Sequence, residues 1–499
     1  MIGKGRLMIG GSVLALVFAG LVHAQSGEII AKQYEDGSFY EGTFKDGKQH
    51  GQGLYRLPNG YEYSGDWVEG EISGQGTARF ANGSVYEGTF AGGAPHGRGR
   101  MTFPDGGSYE GDWDAGQMTG EGRMTYASGQ VYTGGFLNGT HHGRGALEAE
   151  GGFRYEGDWV NGVQTGTARI VYADGTIYEG AVQGGQRHGH GRMEMADGLT
   201  YEGSWENGQI SGAGTLTQAN GDVYEGTFAD GQREGEGRIA FANGDSYEGG
   251  FHQDRRHGQG IFRSAEGFAY EGTWVNGWME GEGRATYPDG SVYVGSFAQD
   301  APDGQGVITY EDGGSYDGSW RAGVIEGRGI ARYADGIVYE GEFLAGRLHG
   351  NGRMTWPDGY SYDGDWENGQ RHGKGIAAYP DGTIYSGDFV EGERHGRGTI
   401  EMADGFHYEG DWLNGEISGE GMATYPTGDV YEGAFVAGRR HGAGVLRYAT
   451  GQVVSGLWAE GDLVSVTPLP PEGASPAGGA DTSPDAPAAE EGAPASVAD

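Results

Sequence analysis

The chain has 499 residues, 71 Asp and Glu against 33 Lys and Arg, a formal net charge of −38, and no cysteine. A surface that acidic repels nucleic-acid backbones and anionic lipid alike. Without cysteine, disulfide staples and thiol chemistry are excluded.

The N-terminus, MIGKGRLMIGGSVLALVFAGLVHAQ, carries Lys4 and Arg6, then an apolar run from Leu7 to Val22, with Val22 and Ala24 at the −3 and −1 places of a cleavage site. This is the pattern of a secretory signal over residues 1–24. An uncleaved anchor is the lesser reading, because the run from Leu7 to Val22 is short of the ~20 residues that a span needs. Removal ahead of Gln25 leaves 31 basic against 71 acidic residues, a charge of −40. Export to the periplasm or the extracellular space is therefore predicted, with residues 25–33 as a short leader.

From residue 34 to 464 one phrase repeats. Tyrosines recur at a single fixed spacing, Tyr40, Tyr63, Tyr86, Tyr109 and onward to Tyr431, eighteen in all, and Val454 opens a nineteenth frame. Glycine stands three residues before and two after every anchor. Three further glycine slots follow it, those of Gly47, Gly51 and Gly53 in the first frame, and the five slots together hold 90 of the 107 glycines. A fixed period without insertions marks a repeat array and not a row of separate domains. Four residues after each anchor stands Phe44, Trp67, Phe90, Trp113, Phe136, Trp159 and so on: nine Phe, nine Trp and the exception Val182. Phe and Trp alternate, so the deeper unit is a pair of frames, and the alternation slips once, where Phe251 follows Phe228.

Read with period two, Tyr40, Gly42 and Phe44 share a face, and so do Gly51, Gly53, Tyr55 and Leu57. Each frame is thus two strands with one aromatic and aliphatic face. Asp or Asn before glycine supplies tight turns, and links this short join only antiparallel neighbours. The predicted fold class is all-β, an elongated single-layer antiparallel meander of hairpins reaching on the order of 180 Å. Glycine weakens strands, so its recurrence implies that a side chain would collide with a ring. From Ser465 to residue 499 the chain has seven of its fifteen prolines and no aromatic, the composition of a disordered tail.

The frame Y-x-G-x-[WF]-x-x-G-x-x-x-G-x-G, closed by Asp/Asn-Gly, resembles the MORN (membrane occupation and recognition nexus) repeat over about residues 34–461, roughly 86% of the chain. Departures are Val182, Ala168, Asp254, Asp300 and Val454. The resemblance implies an elongated docking and assembly module, as in junctophilins, plant phosphatidylinositol phosphate kinases and parasite cytoskeletal proteins. Lipid binding has been proposed for some of these. It implies no kinase activity here, since no residues remain for a kinase domain.

Candidate sites follow the repeat. His50, His96, His142, His188, His257, His349, His372, His395 and His441 recur before a glycine pair, each at least one whole frame from the next. Metal ligands must converge on a point, so these read as turn-end polar residues. Asp105, Asp289 and Asp335 read as turn chemistry, because a calcium β-roll needs a nine-residue motif that is absent. No cofactor or metal is predicted, and no catalysis, since an enzyme needs a unique constellation. The structural aromatic row, to which a binding role is also open, comprises Tyr40, Phe44, Tyr63, Trp67, Tyr86, Phe90, Tyr109, Trp113, Tyr155, Trp159, Tyr201, Trp205, Trp274, Trp320, Trp366 and Trp412. The leading expectation is an exported, non-enzymatic scaffold of the cell envelope that docks protein partners. The alternative is an envelope module stacking a glycan or touching lipid headgroups through the aromatic row, with lipid disfavoured by charge.

Overall fold

The computed structural model describes residues 27–467. The predicted export signal, Gln25 and most of the predicted tail lie outside them. The fold is an open antiparallel meander of 39 strands, with one turn of 3-10 helix at Glu150–Gly152 as the only helical element among the described residues. Two compact units divide near residue 270: one runs through Glu266 and takes Trp274–Gly277, the other holds Gly267–Thr273 and everything from Trp278. Both are built from the same rung.

A rung is a seven-residue strand carrying the anchor tyrosine, a two-residue turn, a nine-residue return strand and a five-residue turn. Glu62–Val68 and Glu71–Arg79 are an example. In Glu62–Val68 the residues Tyr63, Gly65 and Trp67 are buried while Ser64 and Val68 are exposed, which is the alternation expected from period two. Ile30–Gln33 adds a strand ahead of the first frame, in what the sequence marks as leader. The last strand, Asp462–Val466, passes the boundary expected at residue 464.

The two turns differ in chemistry. In the two-residue turn both positions have positive φ, as at Glu69 (52°) and Gly70 (95°), the type I′ geometry that suits twisted strands. The first position is not restricted to Asp and Asn: Ala115, Ala322, Ala345 and Ala437 take φ of 46–50° there. Left-handed backbone costs such a residue about 1–2 kcal/mol. Replacing Ala115 by Asn or Gly is therefore expected to raise stability by about 1 kcal/mol, read as a shift in denaturant midpoint at unchanged slope.

The five-residue turn is closed by a backbone pair such as Leu57 N–H to Tyr61 O at 2.8 Å. The Asp or Asn side chain inside it accepts the N–H two residues on: Asp105 from Gly107 at 2.9 Å, Asp289 from Ser291 at 2.9 Å, Asp335 from Ile337 at 3.1 Å. The acid-glycine pairs are turns, as read from sequence.

One feature of the rung escapes simple alternation. Gly65 pairs with Gly76, but the next pair is Trp67 with Ile72, so Asp66 faces three residues, Ser73, Gly74 and Gln75. The same bulge recurs along the chain, and the glycine in the slot of Gly51 and Gly74 sits in it with positive φ, 98° at Gly74. The bulge frees a carbonyl and an N–H. Tyr63 Oη donates to Asp66 O at 2.9 Å, and Gln75 N–H donates to Asp66 Oδ2 at 2.8 Å. Every anchor from Tyr40 to Tyr431 makes the first bond, Tyr201 to Ser204 O at 2.9 Å for instance, which explains tyrosine over phenylalanine at the anchor.

Glycine has two jobs here, not one. A Cβ at Gly65 or Gly76 would lie 2.5 Å from Tyr63 Oη, so these positions seat the ring, as expected from sequence. At Gly74 a Cβ would meet Asp66 and no ring. There, and in the turns, glycine serves backbone conformation.

Candidate docking surfaces

Within each unit the aromatic row forms the core. All eighteen anchor tyrosines are at most 3% exposed, and the nine tryptophans of the row at most 9%. Phe44, in the first frame, is half-buried. Anchor tyrosines meet the aromatic residue of their own frame and that of the next edge to face, as in Tyr40–Phe44, Tyr40–Trp67, Tyr63–Trp67, Tyr63–Phe90 and Tyr109–Phe136, with centroids 4.9–5.7 Å apart. Such pairs contribute about 0.5–1.5 kcal/mol each beyond area. At Val182 the zigzag is interrupted: Tyr155 keeps Trp159 and Tyr178 keeps Trp205, with no ring in the slot between.

The Phe/Trp alternation has a local chemical cause. Indoles of the row donate their N–H to the ring-seating glycine of the frame before, Trp67 to Gly53 O at 3.4 Å, Trp205 to Gly191 O at 3.1 Å and Trp366 to Gly352 O at 2.9 Å. In five of the nine, the slot nine places after the preceding anchor puts a covering side chain against the indole, His141 at Trp159 among them. Arg187 lies 4.4 Å over Trp205, Arg256 4.0 Å over Trp274, Arg394 4.8 Å over Trp412 and Arg440 4.2 Å over Trp458. Indole is the best ring for a cation–π contact, and arginine is its commonest side-chain cation. The arginine head is then fixed on the next turn, Arg187 to Gly208 O at 2.7 Å. In Trp frames the covering slot is mostly Ile or Met: Ile72, Met118, Ile210, Met279, Ile325 and Ile417.

Sequence reasoning missed this covering slot because no single residue type fills it. The available signal was its coupling to the frame type. His141 also occupies it, stacked on Tyr132 at 3.6 Å, and burial pulls its pKa down to about 4.

The nine recurrent histidines do not converge, and among the described residues no three His, Asp or Glu side chains are grouped to hold a metal. The histidines stand third in the return strand, not on the turn end expected from sequence. His50 Nδ1 accepts Glu69 N–H at 3.4 Å, and Glu234 in the same slot accepts Gln253 N–H at 3.0 Å, whereas Nδ1 of His142 and His257 is buried without a hydrogen-bond partner. The face opposite the rings is polar. Glu87 stands across from Arg100 and Glu110 from Arg123, and Arg169 pairs with Glu179 at 2.9 Å, an exposed pair worth about 0–1 kcal/mol.

Burial pushes the hydroxyls of Tyr86, Tyr201 and Tyr316 up to about 12. The folded chain holds these protons while the unfolded chain releases them above about pH 10. Stability is therefore intact below about pH 10, falls as pH rises through it, and keeps falling until the folded-state hydroxyls ionise near 12. Loss of β circular dichroism should coincide with tyrosinate absorbance, as one transition.

Two tiers of likeness fit this geometry. The rung, with its seated tyrosine and type I′ turn, defines a β-hairpin repeat protein in which each unit is covered by its neighbours. The MORN repeat family matches seventeen segments between residues 40 and 453, among them 40–60, 63–85, 201–223 and 431–453. The chain belongs to the MORN repeat family. The frame from Tyr132, whose return turn carries the 3-10 segment, is not among the matched ones.

Alsin of Rattus norvegicus is 40% identical over 55 residues, 10% of this chain, and the match spans 3% of Alsin's length. Among solved structures, the TCP domain of SAS-4 from Drosophila melanogaster aligns at 15% identity, with 42% of this chain and 97% of that chain covered and a TM-score of 0.20. A mutant TCP10 domain of Danio rerio CPAP aligns at 13% identity, with 44% and 91% covered and a TM-score of 0.19.

Proposed function

We propose that the chain is a non-enzymatic scaffold that docks protein partners along its repeated surface, and that it works outside the cytoplasm in the cell envelope. The observation that supports the docking role is repetition itself. The same polar face and the same two rows of turns return with every frame in one register, so a weak contact made once can be made many times. Contacts repeated along such a ladder gain affinity through effective concentration. The anchor rings are buried in their own sheet, so docking uses the turns and the faces beside them. Export rests on the signal pattern of residues 1–24 and a mature charge of −40. Intact mass of native protein tests it: a chain starting at Gln25 supports export through cleavage, and a mass retaining residues 1–24 contradicts it.

The docking role is tested by deleting two adjacent frames at a time, at successive places between residues 86 and 220. Such deletions keep the Phe/Trp phase and every remaining rung-to-rung interface. Affinity for a partner captured from envelope extract should fall gradually wherever the deletion is made. Abrupt loss at one place, or tight binding to liposomes at physiological salt, would contradict the scaffold reading.

A further inference from the structure

One edge of the second unit differs from the rest of the array. Seventeen residues after each anchor, at the mouth of the five-residue turn, stand Tyr287, Tyr310, Tyr333, Trp356 and Tyr379, five aromatic residues in consecutive frames. In the first unit the same slot is aromatic in only half the frames, with Leu57, Ala149, Met195, Gln218 and Ser264 in the others, and in the second unit Met402 ends the run. These rings belong to no buried zigzag: Tyr310 is 39% exposed and Tyr333 44%. Two residues further, Asp289, Asp312, Asp335, Asp358, Asp381 and Asp404 form an unbroken row, where the first unit has Asn59, Asn82, Ser128, Asn220 and Asn243 among its acids. Each of the six uses Oδ1 to accept a turn N–H at 2.8–3.1 Å. Arg321 and Lys374 lie on the strands away from these turns, paired with Glu326 and Asp388. The base beside the row is Arg332, next to Tyr333, one positive charge against six carboxylates.

Beside this edge lies an apolar groove on the ring face, between Tyr287 and Tyr310 on the turn side and Pro302 and Ile325 on the hairpin side. Its floor is Trp320. Pro302 fills the covering slot that holds arginine over Trp205, Trp274, Trp412 and Trp458, and Trp320 is the most exposed indole of the row.

We propose that this edge binds a proline-rich segment of a partner protein in the polyproline II conformation, with arginine or lysine among its prolines. The inference rests on the scaffold reading and names the kind of partner. Two observations select that occupant. The rings repeat every two strands, about 9.6 Å, and a polyproline II helix turns once in three residues, about 9.3 Å. A proline at every third place thus meets one ring per turn, the aromatic-groove mode that such helices use elsewhere. The six carboxylates beside the rings ask for positive charge on the same segment. The chain's own proline-rich segment after Thr467 carries Glu472, Asp481, Asp485, Glu490 and Glu491 and no Lys or Arg, so charge turns it away.

The test is fluorescence anisotropy of the full chain with labelled (Pro-Pro-Arg)5, (Gly-Gly-Arg)5 and (Pro-Pro-Glu)5. The proposal requires (Pro-Pro-Arg)5 to bind at least about tenfold tighter than both others. Tyr310→Ala with Tyr333→Ala should weaken it about tenfold or more. Asp289→Asn, Asp312→Asn and Asp335→Asn together should weaken it and flatten its salt dependence. Asn already holds the same turn bond at Asn59 and Asn82, both at 3.0 Å, so this variant keeps its fold, which circular dichroism verifies. Equal binding of the glycine peptide, indifference to both variants, or no binding overturns the proposal. Tighter peptide binding after removal of residues 468–499 would make the chain's own tail the occupant and also overturn it. In each of those cases a gradual response of the frame-deletion series leaves the scaffold reading standing.

Discussion

Replacing Gly99 by Val should unfold the frames around it, with a loss of more than about 3 kcal/mol, the sum of the two costs set out next. A Cβ at Gly99 would stand 2.1 Å from Tyr86 Oη and 2.3 Å from Tyr86 Cζ, inside any real contact. Tyr86 has no free direction in which to retreat. Its ring is wedged between Phe90 and Trp113, with centroids 5.0 and 5.1 Å away, and its hydroxyl donates to Thr89 O at 3.0 Å. Moving the ring would strand the carbonyl that the bulge has freed, which costs about 1–3 kcal/mol, on top of overpacking strain of similar size. Ala168 shows the limit of tolerance. It stands where other frames have the ring-seating glycine, and there the Tyr155 hydroxyl still reaches Asp158 O, at 3.1 Å. That methyl is accommodated where the next slot, Val182, holds no ring beside Tyr155. Tyr86 is flanked on both sides, so Gly99→Ala already carries the Cβ clash and should be destabilising, with Gly99→Val worse. Urea titrations of the two variants against the parent measure the difference, and similar small losses for both would contradict the ring seat.

Replacing Trp205 by Ala should cost about 3–5 kcal/mol and should do so locally. The indole is 3% exposed, donates to Gly191 O at 3.1 Å, touches Tyr178 and Tyr201 edge to face, and lies under Arg187. Its removal leaves a cavity, an unpaired glycine carbonyl and a guanidinium without its ring. It also sits next to the interruption at Val182, so two adjacent slots would then lack rings. Repeat proteins distribute such damage by nearest-neighbour terms. Amides of residues 178–228 should therefore lose hydrogen-exchange protection, while residues 40–113 keep theirs. Loss spread evenly along the chain would contradict local coupling.

Much of this was legible in the sequence because each element has a short-range cause. Period two in YEGTF, turn chemistry in PDG, and the constancy of the Tyr–Gly spacing each follow from contacts within one rung, and the rung recurs. The bulge was not legible. Gly74 keeps the same parity as the ring-seating Gly76 two places later, so alternation alone gave both the same task. Only the pairing of Gly65 with Gly76 beside Trp67 with Ile72 separates them. The covering slot escaped for the opposite reason. Arg187, Pro302, His141 and Ile210 share no chemistry, and what unites them is the ring of the following frame. The histidines were expected on a turn and stand instead in the return strand, and the acceptor role of His50 toward Glu69 N–H depends on how one rung stacks on the next. The docking edge was equally hidden, since its slot holds five consecutive aromatics only from Tyr287 to Tyr379 and is interrupted elsewhere, at Met402 among others.

Each of the eighteen tyrosine frames is held by its own seated tyrosine and, except beside Val182, by the rings on either side of it. Native-state hydrogen exchange across residues 155–228 of the unmodified chain tests this most directly. The slot at Val182 lacks a ring while its neighbours Trp159, Trp205 and Phe228 are in place. A protection minimum is therefore expected in Ile177–Gln183 and Gln186–Glu194, with protection recovering by the frame of Tyr201. Uniform protection from residue 155 to 228 would contradict it.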